Sequence, residues 1–473
     1  MGMVILLLLF FVLLAVCYKK AQKDIMDPAV LFCAAYSVSV FCAALNIKTW
    51  DIHMQWYTIL FLTAGAVLFA VVSFAVRAGV FRYDSGASVR QDGAAQKMQF
   101  FKNGKASAET GDISPIVVAV ICVYTVLTIL LMVRGILEIA ESFGTFSSFS
   151  QALTLYKDHA SYKVEAKLPQ YVTLMLKPVI ACAYVLAFYF QKAMLRDGMK
   201  LKQKLVRYWY YLLPPVLYVA QRLLESNRGA IIDYVIAIMV MYFILWNRKY
   251  SWKKQVAGRT LLRIAGIAVA GLIIFYYSAA LIGRINTKGI WDYITYYCGG
   301  SIECFNRYLG NRPKPSSIFG EETFYHLIVN LDSLGITHFN LQQLESGHFM
   351  FQYHNDIMIG NIYTAYRRWM QDFGVLGTVL LQSIMAAFFS GFYYLIRVRA
   401  EQGKMTDLAV IVYSYLAYCI VLHPIDSYFY LETFSKAGIA VIVMILIVYA
   451  GIRQSSVWCG RLRSRKEIMS KDE

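Results

Sequence analysis

The side chains best suited to chemistry are histidines and arginines that stand close together late in the sequence. His348 and His354 precede the pair Arg367 and Arg368. An unperturbed imidazole titrates near neutral pH, which suits a general base, and guanidinium groups match the oxygens of phosphate. Histidine is also too polar for an apolar segment, so each one alone has an equally good structural explanation. Their position shortly before the two arginines favours a catalytic role for His348 and His354.

A second feature is the short polar turn Glu225-Ser-Asn-Arg-Gly-Ala230, which separates two apolar runs. Arg228 therefore lies near the boundary of the apolar segments. An arginine in that position can extend along apolar surface to reach water, which is common. The neighbouring small residues favour the other interpretation, in which Arg228 faces a polar cavity and takes part in function.

Further arginines stand at the two ends of one segment, residues 283–372. Arg284 opens this segment, while Arg367 and Arg368 come just before the apolar run that we expect to begin at Asp372 or Phe373. Together with Arg228 they could converge on a diphosphate, because rigid guanidinium forks bind phosphate oxygens and keep their charge beside a membrane. Arginines also anchor helix ends, and spacing alone does not separate the two roles.

Motifs for common cofactors do not occur in the sequence. It contains no phosphate-binding Walker loop, no dinucleotide fingerprint and no HExxH zinc signature. His348 and His354 are six positions apart and Cys298 is distant, so we expect neither a metal nor a cofactor. Several carboxylates are candidates for binding hydroxyl groups, and spacing does not choose among them: Asp292, Glu303, Glu321, Glu322, Asp332, Glu345 and Asp356.

The composition indicates the kind of protein that must position these residues. Apolar residues make up 58% and charged residues 16% of the sequence, against roughly 45–50% and about 25% in soluble domains. Solidly apolar runs of about 17–22 residues recur along the chain, each long enough to cross about 30 Å of hydrocarbon as a helix. The sequence therefore predicts an all-α, polytopic integral membrane protein. The net charge of +17 is concentrated between spans, which favours topology signals over nucleic-acid binding.

Hydropathy predicts about eleven transmembrane helices, with the basic loops between them on the cytoplasmic side. The N-terminal run is expected to be a retained span with its N-terminus outside, because Lys19, Lys20 and Lys23 follow it and no charge precedes it. The spans are expected near residues 3–18, 28–46, 56–77, 114–133, 169–190, 208–224, 229–246, 261–282, 373–395, 406–422 and 434–452.

These spans define three predicted regions. Residues 1–282 form an N-terminal bundle of about eight spans. Residues 283–372 form a large extracytoplasmic loop, rich in Tyr, Phe, His, Gly and Asn, which we expect to fold as short helices over the bundle. Residues 373–473 form the last spans and a basic cytoplasmic tail.

Three stretches resemble the Wzy-type O-antigen and capsule polymerases, also called oligosaccharide repeat-unit polymerases. The first is Ser-Asn-Arg-Gly-Ala at residues 226–230. The second runs from Tyr293 to Arg307 and continues in Phe-Gly-Glu-Glu-Thr-Phe at residues 319–324. The third comprises Asn-Ile-Tyr-Thr at residues 361–364 and Gln-Asp-Phe-Gly at residues 371–374, with Gly377. The likeness covers about residues 220–380, and the hydropathy of the whole chain is similar to that of the family.

The resemblance implies a metal-independent glycosyltransferase with a GT-C-like fold, placed in the bacterial cytoplasmic (inner) membrane with its active site facing the periplasm or outside. Donor and acceptor would be undecaprenyl-diphosphate-linked oligosaccharides. The enzyme would transfer the growing chain to a new lipid-linked repeat unit, forming O-antigen, capsule or exopolysaccharide. Other expected partners are membrane lipids and a chain-length regulator protein, and no nucleic acid.

The resemblance also suggests roles for particular residues. Arginines of two outer loops in the family correspond to Arg228, Arg284, Arg367 and Arg368, which would bind the diphosphate and stabilise its departure. His354 or His348 would be the base, with Arg228 as a further catalytic residue. Residues expected to bind sugars are Tyr293, Tyr297, Glu321, Asn361 and Tyr363. The tyrosines have an alternative role as an interfacial aromatic belt.

Three other functions remain open from the sequence. An O-antigen ligase would perform the same chemistry on a different acceptor. A flippase or transporter of lipid-linked oligosaccharide would show internal repeats and interrupted helices, whereas this chain has few charges in its spans and one large loop. A structural assembly partner would leave the gathering of arginine and histidine unexplained. The sequence favours the polymerase.

Overall fold

A computed structural model shows a mostly helical protein, with 76% of residues helical and 2% in strands. It describes residues 1–89, 112–159, 167–254, 258, 266, 271, 273, 276–277, 289–311, 318–338, 349–403 and 405–469, without the side chains of 83–89 and 456–469. Within these residues, seven helices are long and apolar enough to cross a membrane. The chain is therefore a membrane-embedded all-α protein in its broad class.

The first half of the chain holds nine α-helices and one 3₁₀ turn among the described residues. In chain order they are α1 (Gly2–Lys20), α2 (Pro28–Ala44), α3 (Trp56–Val89), α4 (Pro115–Phe143), α5 (Phe149–Lys157), α6 (Gln170–Leu195), α7 (Leu201–Tyr208), the 3₁₀ turn (Trp209–Leu212), α8 (Leu213–Leu224) and α9 (Gly229–Lys249).

The second half adds seven α-helices and one antiparallel hairpin within the part described. These are α10 (Ile290–Gly310), α11 (Tyr325–Ser333), β1 (Gln352–His354), β2 (Ile357–Gly360), α12 (Ala365–Glu401), α13 (Asp407–Leu416), α14 (Tyr418–Val421), α15 (Tyr428–Glu432) and α16 (Lys436–Met469).

The seven long helices match seven of the predicted spans. The other four predicted spans do not correspond to helices of that length among the described residues. Spans 28–46 and 406–422 correspond to shorter apolar helices. Span 208–224 is divided into a 3₁₀ turn and a twelve-residue helix, α8. Prolines near the start of α8 cannot donate a backbone hydrogen bond, so they fit the first turn of a helix but not its interior. Span 261–282 lies almost wholly outside the described residues. The total of eleven spans and the GT-C-like topology remain predictions.

Helix α12 begins earlier than the sequence suggested. Its first residue is Ala365, and the helix is interrupted at Gly374, where φ is 62° and ψ is −160°. A positive φ of this kind suits glycine, which has no Cβ to clash. Arg367 and Arg368 therefore lie on a short helical segment before the break, rather than in a loop before a span that begins at residue 372 or 373.

Contacts made by helix ends and the adjoining loops distinguish two ends of the bundle. At the end that we name the basic end, Asn247 donates to Asp24 at 3.1 Å and Arg248 to Asp407 at 2.5 Å. At the opposite end, the amide of Asn306 donates to the carbonyl oxygen of His53 at 3.1 Å. These contacts agree with the predicted division of loops between two sides. Which end faces the cytoplasm remains a prediction.

Candidate functional site

Helix α10 is the scaffold of the opposite end, and two consecutive glycines allow its close packing. A Cβ on Gly299 would overlap the backbone of Ala43 in α2, and a Cβ on Gly300 would overlap the carbonyl oxygen of Ile359 in β2. Side chains at these positions would hold α10 away from both neighbours. The hairpin and α2 therefore contact adjacent positions of the same helix.

The predicted diphosphate ligands Arg367 and Arg368 both form ion pairs at the start of α12. Arg367 is paired with Glu322, and Arg368 binds both carboxylate oxygens of Asp426, at 2.6 and 2.8 Å. Arg368 also donates to the carbonyl oxygen of Glu322 at 3.2 Å. Two forked bonds to one carboxylate fix the orientation of the guanidinium. A diphosphate that binds these arginines must compete with the two carboxylates.

Aromatic rings enclose Arg367. Its guanidinium carbon lies 3.4 Å from the ring centre of Phe349, with the rings of Tyr363 and Tyr308 at 5.1 and 5.3 Å. The faces of aromatic rings attract a cation, most strongly where water is excluded. Tyr308 in turn donates to Gln371 at 2.9 Å. These contacts join α10, α12 and the segment before the hairpin around one buried arginine.

Arg228 is buried as well, with 5% of its surface exposed. It donates to the hydroxyl of Tyr293 at 3.0 Å. The ring of Tyr293 packs against that of Tyr297, with 4.8 Å between centres. An arginine extended to the surface would be exposed, so the burial agrees with the interpretation in which Arg228 faces the interior.

The contacts do not bring all four predicted arginines together. Tyr293, the partner of Arg228, and Tyr308, beside Arg367, are separated by about 22 Å along α10 at about 1.5 Å per residue. Arg228 and Arg367 thus contact opposite ends of this helix. Arg284 lies outside the described residues. Convergence of these arginines on one diphosphate remains a prediction.

Of the two predicted bases, His354 lies on β1 and is half-buried. Its Nε2 is 3.4 Å from the side-chain amide of Asn355, the turn residue of the hairpin. The strand is held to α10, because Arg307 donates to the carbonyl oxygen of Tyr353 at 2.8 Å and to Glu303 at 2.7 Å. His348 lies outside the described residues.

Glu303 is a buried carboxylate on the same face of α10. Burial raises its pKa, although hydrogen bonds from Arg307 and Asn306 act in the opposite direction. Desolvation disfavours a carboxylate charge, whereas a neighbouring cation favours it. Glu303 therefore serves to hold Arg307, and through it the hairpin, against α10.

Another histidine, His423, is buried among aromatic rings. Its Nδ1 is 2.9 Å from the hydroxyl of Tyr36, and the rings of Tyr366 and Trp369 lie edge-on at 4.9 and 5.1 Å. Burial lowers the pKa of His423 to about 3. It therefore stays neutral at physiological pH and is a poor candidate for a base that must titrate near pH 7.

The predicted sugar-binding residues differ in how much surface they offer. Tyr293, Glu321 and Tyr363 are buried, and Tyr363 accepts a hydrogen bond from Gln352 at 3.0 Å. Tyr297 and Asn361 are half-buried. Only a partly exposed ring can stack on a sugar. Of the three predicted tyrosines, Tyr297 is therefore the best placed to do so.

The structure adds a charged cluster that was not predicted from the sequence. It lies close to the same end and draws on four helices. Arg222 of α8 pairs with Glu225 at 2.6 Å. Asp233 of α9 is attracted to Arg222 and repelled by Glu432 of α15. Lys177 of α6 is repelled by Arg222 and attracted to Glu225 and Glu432. An available signal was that Lys177 and Asp233 each stand within an apolar run.

Two members of this cluster differ from the rest in their contacts. Within the part of the chain described, Lys177 and Asp233 make no hydrogen bond and no ion pair. Tyr428 interacts electrostatically with Asp233, Asp426 and Arg368, and so connects this cluster to the arginine pair of α12. Ionisable side chains inside membrane helices are costly, and they usually mark functional sites.

A protein site for a metal ion needs several ligating side chains close together. Among the residues that the structure describes, no three His, Cys, Asp or Glu side chains are grouped to hold a metal ion.

Comparisons with known proteins add no further constraint. No protein-family model matches the sequence, and searches of curated proteins and of solved structures find no match. The resemblance to repeat-unit polymerases thus receives no support from these comparisons.

Proposed function

We propose that the chain is a polysaccharide polymerase that joins undecaprenyl-diphosphate-linked repeat units at the outer face of a bacterial cytoplasmic membrane. The observation that carries the proposal is the arrangement around α10. Buried Arg228 and the buried pair Arg367 and Arg368 lie at one end of a bundle of long apolar helices. A lipid-linked diphosphate would meet the protein at such a boundary, with its lipid beside the helices and its sugars outside.

The proposed step is transfer of a glycosyl group. A hydroxyl of the acceptor repeat unit forms a bond to the anomeric carbon of the growing chain as the bond from that carbon to the diphosphate oxygen breaks. The transition state has oxocarbenium character. The acceptor proton passes to a base, for which His354 is the described candidate, and the lipid diphosphate leaves with the bonding electrons. Arginines stabilise the charge that grows on this leaving group.

The ion pairs of Arg367 and Arg368 suggest a division of labour. Both arginines are already neutralised by carboxylates, so their main contribution would be to orient the start of α12. Arg228 is also buried and donates to the hydroxyl of Tyr293. It stands in the short polar turn that corresponds to an arginine-bearing outer loop of the resembled family. A guanidinium in that position is suited to phosphate oxygens, and Arg228 is therefore the first choice for contact with the diphosphate.

A flippase or transporter of lipid-linked oligosaccharide is the second candidate. One observation favours it, namely that Lys177 and Asp233 lie on two helices of membrane-spanning length and make no hydrogen bond or ion pair within the described part of the chain. Transport sites are often built from such charges inside the bilayer. The polymerase remains the better explanation of the aromatic and arginine-rich surroundings of α10.

The test is a gel profile of surface polysaccharide from cells that lack the protein. The strain is complemented with wild type, with Arg228→Ala, or with the control Arg134→Ala, whose side chain is exposed. Wild type and Arg134→Ala should restore a ladder of chain lengths. Arg228→Ala should leave a single repeat unit at an equal level of protein.

Two results would contradict the polymerase. Full-length polymer that accumulates on its lipid carrier in the strain lacking the protein would indicate a ligase. Repeat units trapped on the inner leaflet would indicate a flippase.

A further inference from the structure

A polar pocket opens at the basic end, between the ends of three long apolar helices. It is formed where α1 and α9 finish and where α12 approaches its last turn. Its lining includes Lys23, Asp24, Asn247, Trp252, Lys254 and Arg397. Because the helices at its walls are membrane-spanning in length and composition, the pocket lies at one boundary of the apolar layer.

The charges of this pocket favour an anion. Three cations line it, Lys23, Lys254 and Arg397, against one carboxylate, that of Asp24. Two of the cations are held over aromatic rings. The ammonium of Lys254 is 4.5 Å from the ring centre of Tyr250, and the guanidinium of Arg397 is 5.6 Å from that of Trp252. Such contacts hold a cation in place without neutralising it.

The carboxylate of Asp24 is engaged in the wall of the pocket. It accepts hydrogen bonds from the backbone of Met26 at 3.0 Å, from Asn247 at 3.1 Å and from Tyr393 at 2.5 Å. Burial raises the pKa of Asp24, which further reduces its negative charge. Arg397 lies 3.9 Å from Asp24 and 3.2 Å from Glu401. Glu401 therefore offsets part of the charge of Arg397. Lys23 and Lys254 supply the remaining positive charge in the lining of the pocket.

Two ordered helix ends form the rim. Gln22 and Lys23 after α1, and Ser251 and Trp252 after α9, have φ values between 50° and 65°. In each case a backbone bond closes the helix, from Lys23 to Tyr18 at 2.9 Å and from Trp252 to Asn247 at 2.8 Å. The last carbonyl groups of these helices are thus used by the chain itself, and Lys23 and Lys254 stand beside these closed ends in the lining of the pocket.

We propose that this pocket binds a phosphate group, carried by the headgroup of an anionic phospholipid or by free phosphate. Basic pockets between membrane helices are suited to anionic headgroups, because attraction to each lysine adds to a binding position already set by the apolar layer. This site is separate from the arginines around α10, and the inference does not depend on the proposed polymerase.

The experiment uses the full-length protein purified in neutral detergent. Bound lipid is counted by native mass spectrometry, and thermal stability is measured, after addition of phosphatidylglycerol, phosphatidylcholine or sodium phosphate. Phosphatidylglycerol should bind in preference to phosphatidylcholine. In Lys23→Gln/Lys254→Gln its affinity should fall about thirtyfold, since each lysine near an anionic surface contributes about a factor of five. A response to phosphatidylglycerol alone identifies the headgroup as the source, and an equal response to sodium phosphate identifies the free anion.

The matched control is Lys48→Gln, an exposed lysine at the opposite end, which should bind lipid like wild type. If the double variant is poorly folded, the two single variants should each lose about fivefold in affinity. The proposal is overturned if the wild type binds both lipids equally and does not respond to phosphate. It is equally overturned if the folded lysine variants bind phosphatidylglycerol as tightly as wild type.

Discussion

The two ends of the bundle use the same kinds of side chain in different ways. At the basic end, Lys192 and Arg248 share the buried carboxylate of Asp407, and their own side chains remain 25% and 26% exposed. At the opposite end, the side chain of Arg368 is only 3% exposed where it pairs with Asp426. Cations that remain in contact with solvent serve as topology signals, whereas a buried arginine requires a structural or functional reason.

Burial also acts on titratable groups near both ends, with opposite effects on their pKa. It raises the pKa of Asp27 to about 6 and lowers that of His423 to about 3. In both cases the low-dielectric surroundings favour the neutral form. The difference teaches that histidine at the opposite end is not by itself evidence of acid–base chemistry, and His354, which is half-buried on β1, is the better candidate.

The largest expected effect concerns the two ion pairs. Asp426→Asn should lower the free energy of unfolding by about 3–5 kcal/mol, because it leaves the buried charge of Arg368 without its partner. Asp407→Asn should cost only about 1–2 kcal/mol, because Lys192 and Arg248 can reach solvent. Denaturant titration in mild detergent measures both.

Equal losses of unfolding free energy in Asp426→Asn and Asp407→Asn would contradict this comparison. They would show that the greater burial of Arg368 does not make its ion pair more important for stability. The control is Glu138→Gln, which disrupts an exposed pair with Arg134 and should leave the stability unchanged.

The sequence was sufficient to predict most of the spans and not the contacts that define the site. Seven long helices follow from uninterrupted apolar runs, which need no knowledge of tertiary structure. The hairpin was missed because β1 is only three residues long, too short for an alternating pattern to be recognised. The prolines of α8 shortened another predicted span.

The roles of the predicted arginines stay predictions, and the structure adds their surroundings. Arg228, Arg367 and Arg368 were identified from their positions beside apolar runs, and all three are buried. Their partners were not identified, because Glu322 and Asp426 are distant in sequence and only the packing of helices brings them close. The local sequence pattern gives no information on such pairs. It therefore predicted one diphosphate site for all the arginines, whereas Arg228 and Arg367 contact opposite ends of α10.

The second prediction tests the carboxylates of the basic end by pH. Asp27 accepts from the backbone of Ala29 at 3.0 Å and from the hydroxyl of Tyr394. Its pKa is about 6 in the folded protein, against about 3.9 when unfolded. The folded state therefore binds the Asp27 proton more tightly than the unfolded state does. The contribution of this proton to the free energy of unfolding is fully present below about pH 4. It is lost as the pH rises through 6, which lowers the free energy of unfolding by about 3 kcal/mol.

The measurement is the midpoint of thermal unfolding at pH 4.5 and pH 7 in wild type and in Asp27→Asn. The amide can still cap α2, and the decrease in stability between these pH values should become smaller. Burial raises the pKa of Asp24 as well, so some of the decrease should persist. A pH dependence unchanged from wild type would show that Asp27 is not the group that titrates.

The smallest expected effect concerns the packing of α10 against the hairpin. In Gly300→Ala the new methyl group would overlap the carbonyl oxygen of Ile359, so β2 must move away, at a cost of about 1–3 kcal/mol. The matched control is Gly391→Ala in α12. A Cβ at this position would have Val76 as its nearest neighbour, at 3.9 Å, which is an ordinary contact. The control should match wild type in stability and in the length of the polysaccharide ladder.

Because His354 lies on the strand that pairs with β2, displacement of the hairpin should also shorten the ladder if His354 is the base. Loss of stability with a normal ladder would separate the hairpin from the chemistry and leave His348 as the remaining predicted base. A normal ladder with normal stability would show that α10 and the hairpin are not packed as closely as the two glycines require.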